Sequence, residues 1–484
     1  MGARAWALLL VLCGTIFLEG ADIAMLAIAI PAIRADLGLS TGTAAWVLSA
    51  YVLGYAGFTL LGGRAADLLG RRRMFLTWLG VFVVFSGLGG LATEGWMLIV
   101  ARFVTGLAAA FMTPAAMSII TTSYAEGPER NKALLVFAGT SAGGFSLGLV
   151  IGGLLAGLGW RWVFFAPVLL AGAVLAAAVR LIPKEAARVR GRAGGFDLGG
   201  AGAVAGAMLL LAFGVVRLEH GLAGWPLTLG AAGAGLLLGA AFVRIERRVA
   251  QPLVRLGILR TGSVVRAGLG ALLFVGAFMG FQFVLTLYLQ ELRGWSSWQT
   301  AIAMVVMGCD VILAPTLTPR LVARFGNARV ILGGFLLAIA AYGLFLPVGM
   351  DWTYAAMFPT LVLAGTAFAL ALGPLMIAAT DGVAEREQGL ASGLLQTALQ
   401  FGAAIGVSGV TAVHGIAESA TGASGLSAFR VALVVPLLMV LLGAVVSAFG
   451  LRGRRRGGGP VAGGGQPAAR SAAESGRPAV SEAR

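Results

Sequence analysis

What most limits the possible folds of this chain is a series of long apolar runs, almost free of charge, repeated over nearly its whole length. A helix needs about 20 apolar residues to cross a bilayer. Fourteen runs meet that length, at roughly 6–31, 43–63, 74–93, 97–122, 133–157, 161–181, 198–217, 225–243, 264–289, 298–318, 328–348, 353–379, 388–414 and 427–450. The chain is 59% hydrophobic and 11% charged. Soluble proteins carry about 25% charge, so the folded surface here cannot be covered in water. The 74 glycines fit the same picture, because small residues let membrane helices approach closely. An all-α polytopic membrane protein is expected.

The formal charge of +15 has three possible sources: a nucleic-acid surface, a basic tail or membrane topology. Cytoplasmic loops of membrane proteins are enriched in Lys and Arg. With the N-terminus inside, inner loops hold about 21 basic residues between Arg64 and Arg386. The outer loops hold 5: Arg34, Arg161, Arg217, Arg293 and Arg430. Topology therefore explains most of the charge, and it supports an even number of spans with both termini cytoplasmic. Scattered arginines on short loops do not make a nucleic-acid surface. Neither lysine, Lys132 or Lys184, follows a glycine, so the chain has no G-x-x-x-x-G-K phosphate loop to bind ATP. Cys13 and Cys309 both fall in apolar runs and imply no disulfide framework. The N-terminal segment mimics a signal peptide, but its apolar stretch runs on to Ile33 and reads as a first span.

The longest inner connections flank the pair of spans at 198–243. This suggests a six-helix bundle over 1–182, an inserted pair with its linkers over 183–263, and a second bundle over 264–450. The tail, 451–484, is rich in Gly, Ala, Pro and Arg and is expected to be disordered. Arg244 to Arg260 reads either as an amphipathic helix on the membrane surface or as an irregular linker. The two halves resemble repeats. Gly63 to Arg73 leaves the second span and Pro319 to Arg329 leaves the tenth, with Arg64 matching Arg320, Gly70 matching Gly326 and Arg73 matching Arg329. Internal repeats of this kind mark transporters.

A charge inside a span costs a few kcal/mol at least, so each one needs a reason. Glu19 and Asp22 lie three apart on the first helix, hence on one face. A carboxylate pair in a low-dielectric cavity can take up and release a proton as access alternates; pairing with an arginine is the plainer reading. Arg102, near the start of the fourth span, is the candidate partner for either acid, in a switchable network or a static ion pair. Asp310 sits mid-span with no charge nearby in sequence and is a candidate cavity residue, as are Gln282 and Gln396. Gln290 and Gln400 join them as polar groups suited to helix–helix hydrogen bonds. His220 and His414 fall near outer ends and read as interfacial. In the loop, Asp67 can pair with Arg71 or cap a neighbouring helix, and Gly63 and Gly70 permit a tight turn; such a contact would hold the cytoplasmic side closed. Gly144, Gly148 and Gly152 share one face of the fifth span, for close packing or sliding.

These segments resemble a known family. Gly63-x-x-x-Asp67-x-x-Gly70-Arg-Arg-Arg73 is similar to the loop signature of the major facilitator superfamily. Asp22 to Pro31 resembles the first-helix motif of its fourteen-helix drug–proton antiporter branch. Arg102-x-x-Thr-Gly106 resembles the fourth-helix motif whose Arg is linked to proton transfer. Trp160-Arg-Trp-Val-Phe-Phe, Tyr288-Leu-Gln and Gly389-Leu-Ala-Ser-Gly also resemble segments of that branch. Three positions depart from the pattern: Leu149 stands for the Pro after Gly148, Leu68 for a common Arg, and Thr105 for a common Gln. Glu19 and Asp310 lie outside the shared motifs and are the candidates for substrate specificity.

The resemblance implies two six-helix bundles plus two inserted helices, rocking about a central site, and proton-driven export of drugs or antibiotics. No cofactor or metal is expected; the proton gradient supplies the energy. The cargo would be a small cationic or neutral amphiphile and the carrier a monomer in the cell membrane. An uptake carrier on the same fold is the alternative. An intramembrane enzyme would need a metal or nucleophile cluster that two histidines cannot furnish.

Overall fold

The computed structural model describes residues 2–183, 197–217, 224–249, 256–421 and 425–457. Fourteen of its helical segments are long and apolar enough to cross a membrane. The first half comprises α1 (Ala3–Leu37), α2 (Thr41–Leu69), α3 (Arg71–Gly90), α4 (Gly95–Ser123), α5 (Pro128–Leu158) and α6 (Trp162–Leu181). The inserted pair is α7 (Leu198–Val216) and α8 (Trp225–Glu246). The second half contains α9 (Gly262–Leu287), α10 (Ser297–Met304), α11 (Asp310–Phe325), α12 (Asn327–Phe345), α13 (Tyr354–Thr380), α14 (Gln388–Thr421), α15 (Leu426–Ala432) and α16 (Val434–Gly457).

Each half packs in the same way. In the first, α1 lies on α5, α2 on α4, and α3 on α4 and α6. In the second, α9 lies on α14, α11 on α13, and α12 on α13 and α16. Glycines allow these crossings. Gly54 and Gly106 bring the backbones of α2 and α4 together, and Gly276, Gly402 and Gly406 do the same for α9 and α14. Without a side chain between them, the helices gain van der Waals contact along their length, which drives association in lipid. The halves then meet through α2 with α14 and α5 with α11, with further contact from α4 and α13.

Several spans differ from the sequence reading. Helix α1 continues through Pro31 and stops at Gly38, whose φ of 61° ends it in the left-handed region. The tenth span is broken: α10 gives way to a 3-10 turn at Val305–Cys309 before α11 begins at Asp310. The end of α9 widens into a π turn at Tyr288–Leu292, and the last span is divided into α15 and α16. Arg244 belongs to α8, and Leu256–Arg260 is a 3-10 turn; residues 250–255 between them lie outside the described residues. His220, the 184–196 connection and the tail from 458 also lie outside them, as does the Leu149 side chain.

Candidate transport site: a central cavity and the end that closes it

A cavity of about 390 Å³ lies between the halves. The first half lines it from α1, α2 and α5, the second from α9, α11, α13 and α14, and Val216 of α7 also reaches it. Glu19, Gln282, Asp310, Gln396 and Gln400 all face it, within walls of Phe, Met, Leu and Val. The sequence reading named these five residues; the fold brings them to one place.

Glu19 and Asp22 of α1, in the first half, both have side-chain partners. Asp22 forms a buried ion pair with Arg102 of α4, and both residues are 2% exposed. The Arg102 guanidinium also stacks 4.4 Å from the centre of the Tyr51 ring on α2. Of the two pairings left open for Arg102, the structure shows the one with Asp22. Glu19, one turn earlier on α1, accepts a hydrogen bond from Thr113 of α4 at 2.9 Å. It also accepts one from Gln400 of α14, across the cavity, at 3.4 Å. Glu19 is thus tied to both halves at once.

Two polar groups of the second half lack side-chain partners. Asp310 is 1% exposed, yet neither carboxylate oxygen meets another side chain's donor. It sits where the 3-10 turn hands over to α11, so the broken helix turns it toward the cavity. Gln396, 2% exposed, leaves its Nε2 without an acceptor.

At one end the halves close on each other. Gly63 lies against the backbone of Gly389 and Gly393. Asp67, 3% exposed, accepts hydrogen bonds from the backbone N–H groups of Gly389 at 3.0 Å and Leu390 at 2.9 Å, at the start of α14. A carboxylate there meets unsatisfied N–H groups and the positive end of the helix dipole. Arg71 bonds Asp67 at 3.4 Å and donates to the backbone carbonyl of Glu385. Both contacts anticipated for Asp67 are present together. Gly70, with φ of 99°, makes the sharp turn that puts Arg71 within reach.

Sequence reasoning missed the second clasp at this end. Arg130 of α5, 2% exposed, donates to the Thr380 carbonyl at 3.0 Å and pairs with Asp381 at 3.6 Å and Glu126 at 2.9 Å. The repeat could have revealed it: α5 and α14 are equivalent helices, and both begin at this end. Thr113 was also missed, since a threonine in an apolar span carries no signal until its neighbour is known.

The glycine face of α5 packs against α1. Gly144 lies on Phe17, Gly148 on Ala21 and Gly152 on Met25. The neighbouring face, Gly139 and Gly143, meets Ala314 and Val311 of α11 in the other half. His414 is half-buried with its ring 4.4 Å from that of Phe429. Arginines read as lying in the outer loops are tied down as well. Arg161 and Trp160 both donate to Asp36, and these bonds hold its carboxyl below the usual carboxylate range. Arg430 donates to the Val348 carbonyl.

The Major Facilitator Superfamily profile matches residues 12–407. The chain belongs to the major facilitator superfamily. Relatives in the family include the puromycin resistance protein of Streptomyces alboniger, 33% identical over 92% of this chain and 90% of that one. The cephamycin export protein of Amycolatopsis lactamdurans is 33% identical over 91% of each. The family fold is shared with the human organic anion transporter MFSD10, at 15% identity and a TM-score of 0.67, covering 92% of this chain and 100% of that one. The chain is therefore a multi-pass membrane transporter, with fourteen apolar helices where the sequence placed fourteen spans.

Proposed function

We propose that the chain is a secondary active exporter of small amphiphilic compounds from the cell, driven by protons moving inward. Relatives named for antibiotic resistance and export support the direction. In the cell membrane, the Lys and Arg distribution puts both termini in the cytoplasm. The end closed by Asp67, Arg71 and Arg130 is then the cytoplasmic one, and the cavity belongs to an outward-facing state.

The observation that carries the reading is the position of Glu19. It is a cavity carboxylate held by Thr113 of its own half and Gln400 of the other. Protonation removes the negative charge that strengthens both bonds, and so weakens a tie between the halves. Asp22 and Arg102 keep the neighbouring charge balanced. A proton crossing about 100 mV supplies about 2.3 kcal/mol, enough for tens-fold accumulation. Opposite Glu19, Asp310 offers a buried acid with no side-chain partner to the positive end of a cargo molecule, with Gln282 and Gln396 for its polar groups and the apolar walls for the rest. The carrier works as a monomer.

Inverted membrane vesicles energised with an inward-acid gradient test this. Wild type should concentrate an exported compound and collapse the gradient when that compound is added. Glu19→Gln should do neither while still binding the compound. Accumulation that ignores the gradient, or runs only in the opposite direction, would remove the proposal.

A further inference from the structure

The inserted helix α7 follows the seam between the halves from one end to the other. Near the Asp67 end, Ala201 and Val204 pack with Leu60 of α2 and with Leu390 and Ala391 of α14. Midway, Ala212 packs with Leu53 and Ala56 of α2, and Phe401 of α14 joins the same cluster. At the far end Val216 is part of the cavity lining, beside Leu48 and Val52 of α2 and Val407 of α14. Phe213 stacks on Trp46 at 6.0 Å and lies under Arg217, which fixes this end of α7 against α2.

The direct approach of α2 to α14 lies at Gly63, Gly389 and Gly393. Further along, both helices line the cavity, and α7 stands behind the space between them. The opposite seam has no such cover: α5 meets α11 directly at Gly139 and Gly143. The α2/α14 side of the cavity therefore has α7 behind it, and the α5 side has no inserted helix among the described residues.

We propose that α7 is a working wall of the cargo cavity, sealing the α2/α14 seam against lipid and setting cargo size through Val216. The wall is fixed to α2, so it moves with the first half and stays in place as the second half rocks. Lipid-dissolved cargo then reaches the cavity past α5 and α11 only. The proposal extends the export reading by giving the inserted pair a part in selectivity.

The test places a single cysteine at Val216 in a background with Cys13→Ala and Cys309→Ala. Leu237→Cys on α8, where the native side chain is 74% exposed on the outer surface, is the lipid-facing control. A membrane-impermeant maleimide should modify Val216→Cys at least about tenfold faster than the control, since the reactive thiolate forms in water and not in lipid. Equal rates would overturn the wall assignment whether or not the protein exports anything. In a second arm, Val216→Trp should lower resistance to the largest exported compounds by about tenfold or more while sparing the smallest, the usual scale for a misfit in an apolar pocket. Leu237→Trp should change neither. A parent that exports nothing defeats the export reading; an exporting parent whose Val216→Trp profile matches wild type defeats only the size-setting role.

Discussion

Helix α2 turns into α3 at Gly70 and α11 turns into α12 at Gly326, with φ of 99° and 82°. The two corners share a backbone but not a chemistry. Asp67 clasps the start of α14 in the first, while the matching position in the second is the exposed Ala323. Arg71 in the first becomes Asn327 in the second, which donates to the Pro374 carbonyl within its own half at 2.8 Å. The buried acids diverge in the same sense: Glu19 and Asp22 have side-chain partners, and Asp310 has none. Duplication supplied two equivalent frames, and the side chains then divided the work. The first half holds the charge network and the principal clasp; the second holds a buried acid with no side-chain partner.

The comparison can be broken most forcefully at Arg102. Arg102→Ala strands Asp22 as an unpaired buried charge, and removing one member of such a pair costs about 3–5 kcal/mol. The yield of monodisperse protein in detergent should fall sharply. Asp310→Asn removes a buried acid that had no side-chain partner and should leave the yield equal or higher. If the two variants fall together, the walls are not different in kind.

A smaller effect is expected at the clasp. Hydrogen bonds to charged groups contribute about 1.5–3 kcal/mol each, and Asp67→Asn weakens those to Gly389 and Leu390. A reporter at Ser392→Cys, buried behind the clasp, should then react at least about tenfold faster with a thiol reagent supplied from the cytoplasmic side, because 1.4 kcal/mol is a factor of ten. Arg130→Gln should open the same end to a lesser degree, since Asp67 remains. Ala323→Asp sharpens the contrast: as an exposed change it should shift stability by no more than about 0.5 kcal/mol and slow the reporter not at all. A strong latch created at Ala323 would mean the two corners are interchangeable.

Much of this could be read from residues alone. Hydrophobic length located fourteen spans because lipid imposes it, and charge scarcity singled out Glu19, Asp22, Arg102 and Asp310 because burial is costly. Glycine spacing showed a smooth face on α5, but not that Gly144 meets α1 while Gly143 meets α11. The break before Asp310 has no proline or glycine pair to announce it beyond Gly308, and it depends on tertiary contact: Gly365 of α13 lets Met307 approach closely. Thr113 and Gln400 became ligands of Glu19 only once three helices had been placed. The position of α7 on the α2/α14 seam was equally hidden, since an apolar helix does not declare which neighbour it covers.

The division of labour is tested most directly in proteoliposomes under an imposed pH gradient, with a cationic and a neutral compound measured side by side in wild type, Glu19→Gln and Asp310→Asn. Glu19→Gln should lose gradient-driven accumulation of both compounds, and Asp310→Asn should lose the cation while still concentrating the neutral one. Accumulation of both by Glu19→Gln at the wild-type level, or an equal loss of both in Asp310→Asn, would contradict the assignment of coupling to one half and cargo recognition to the other.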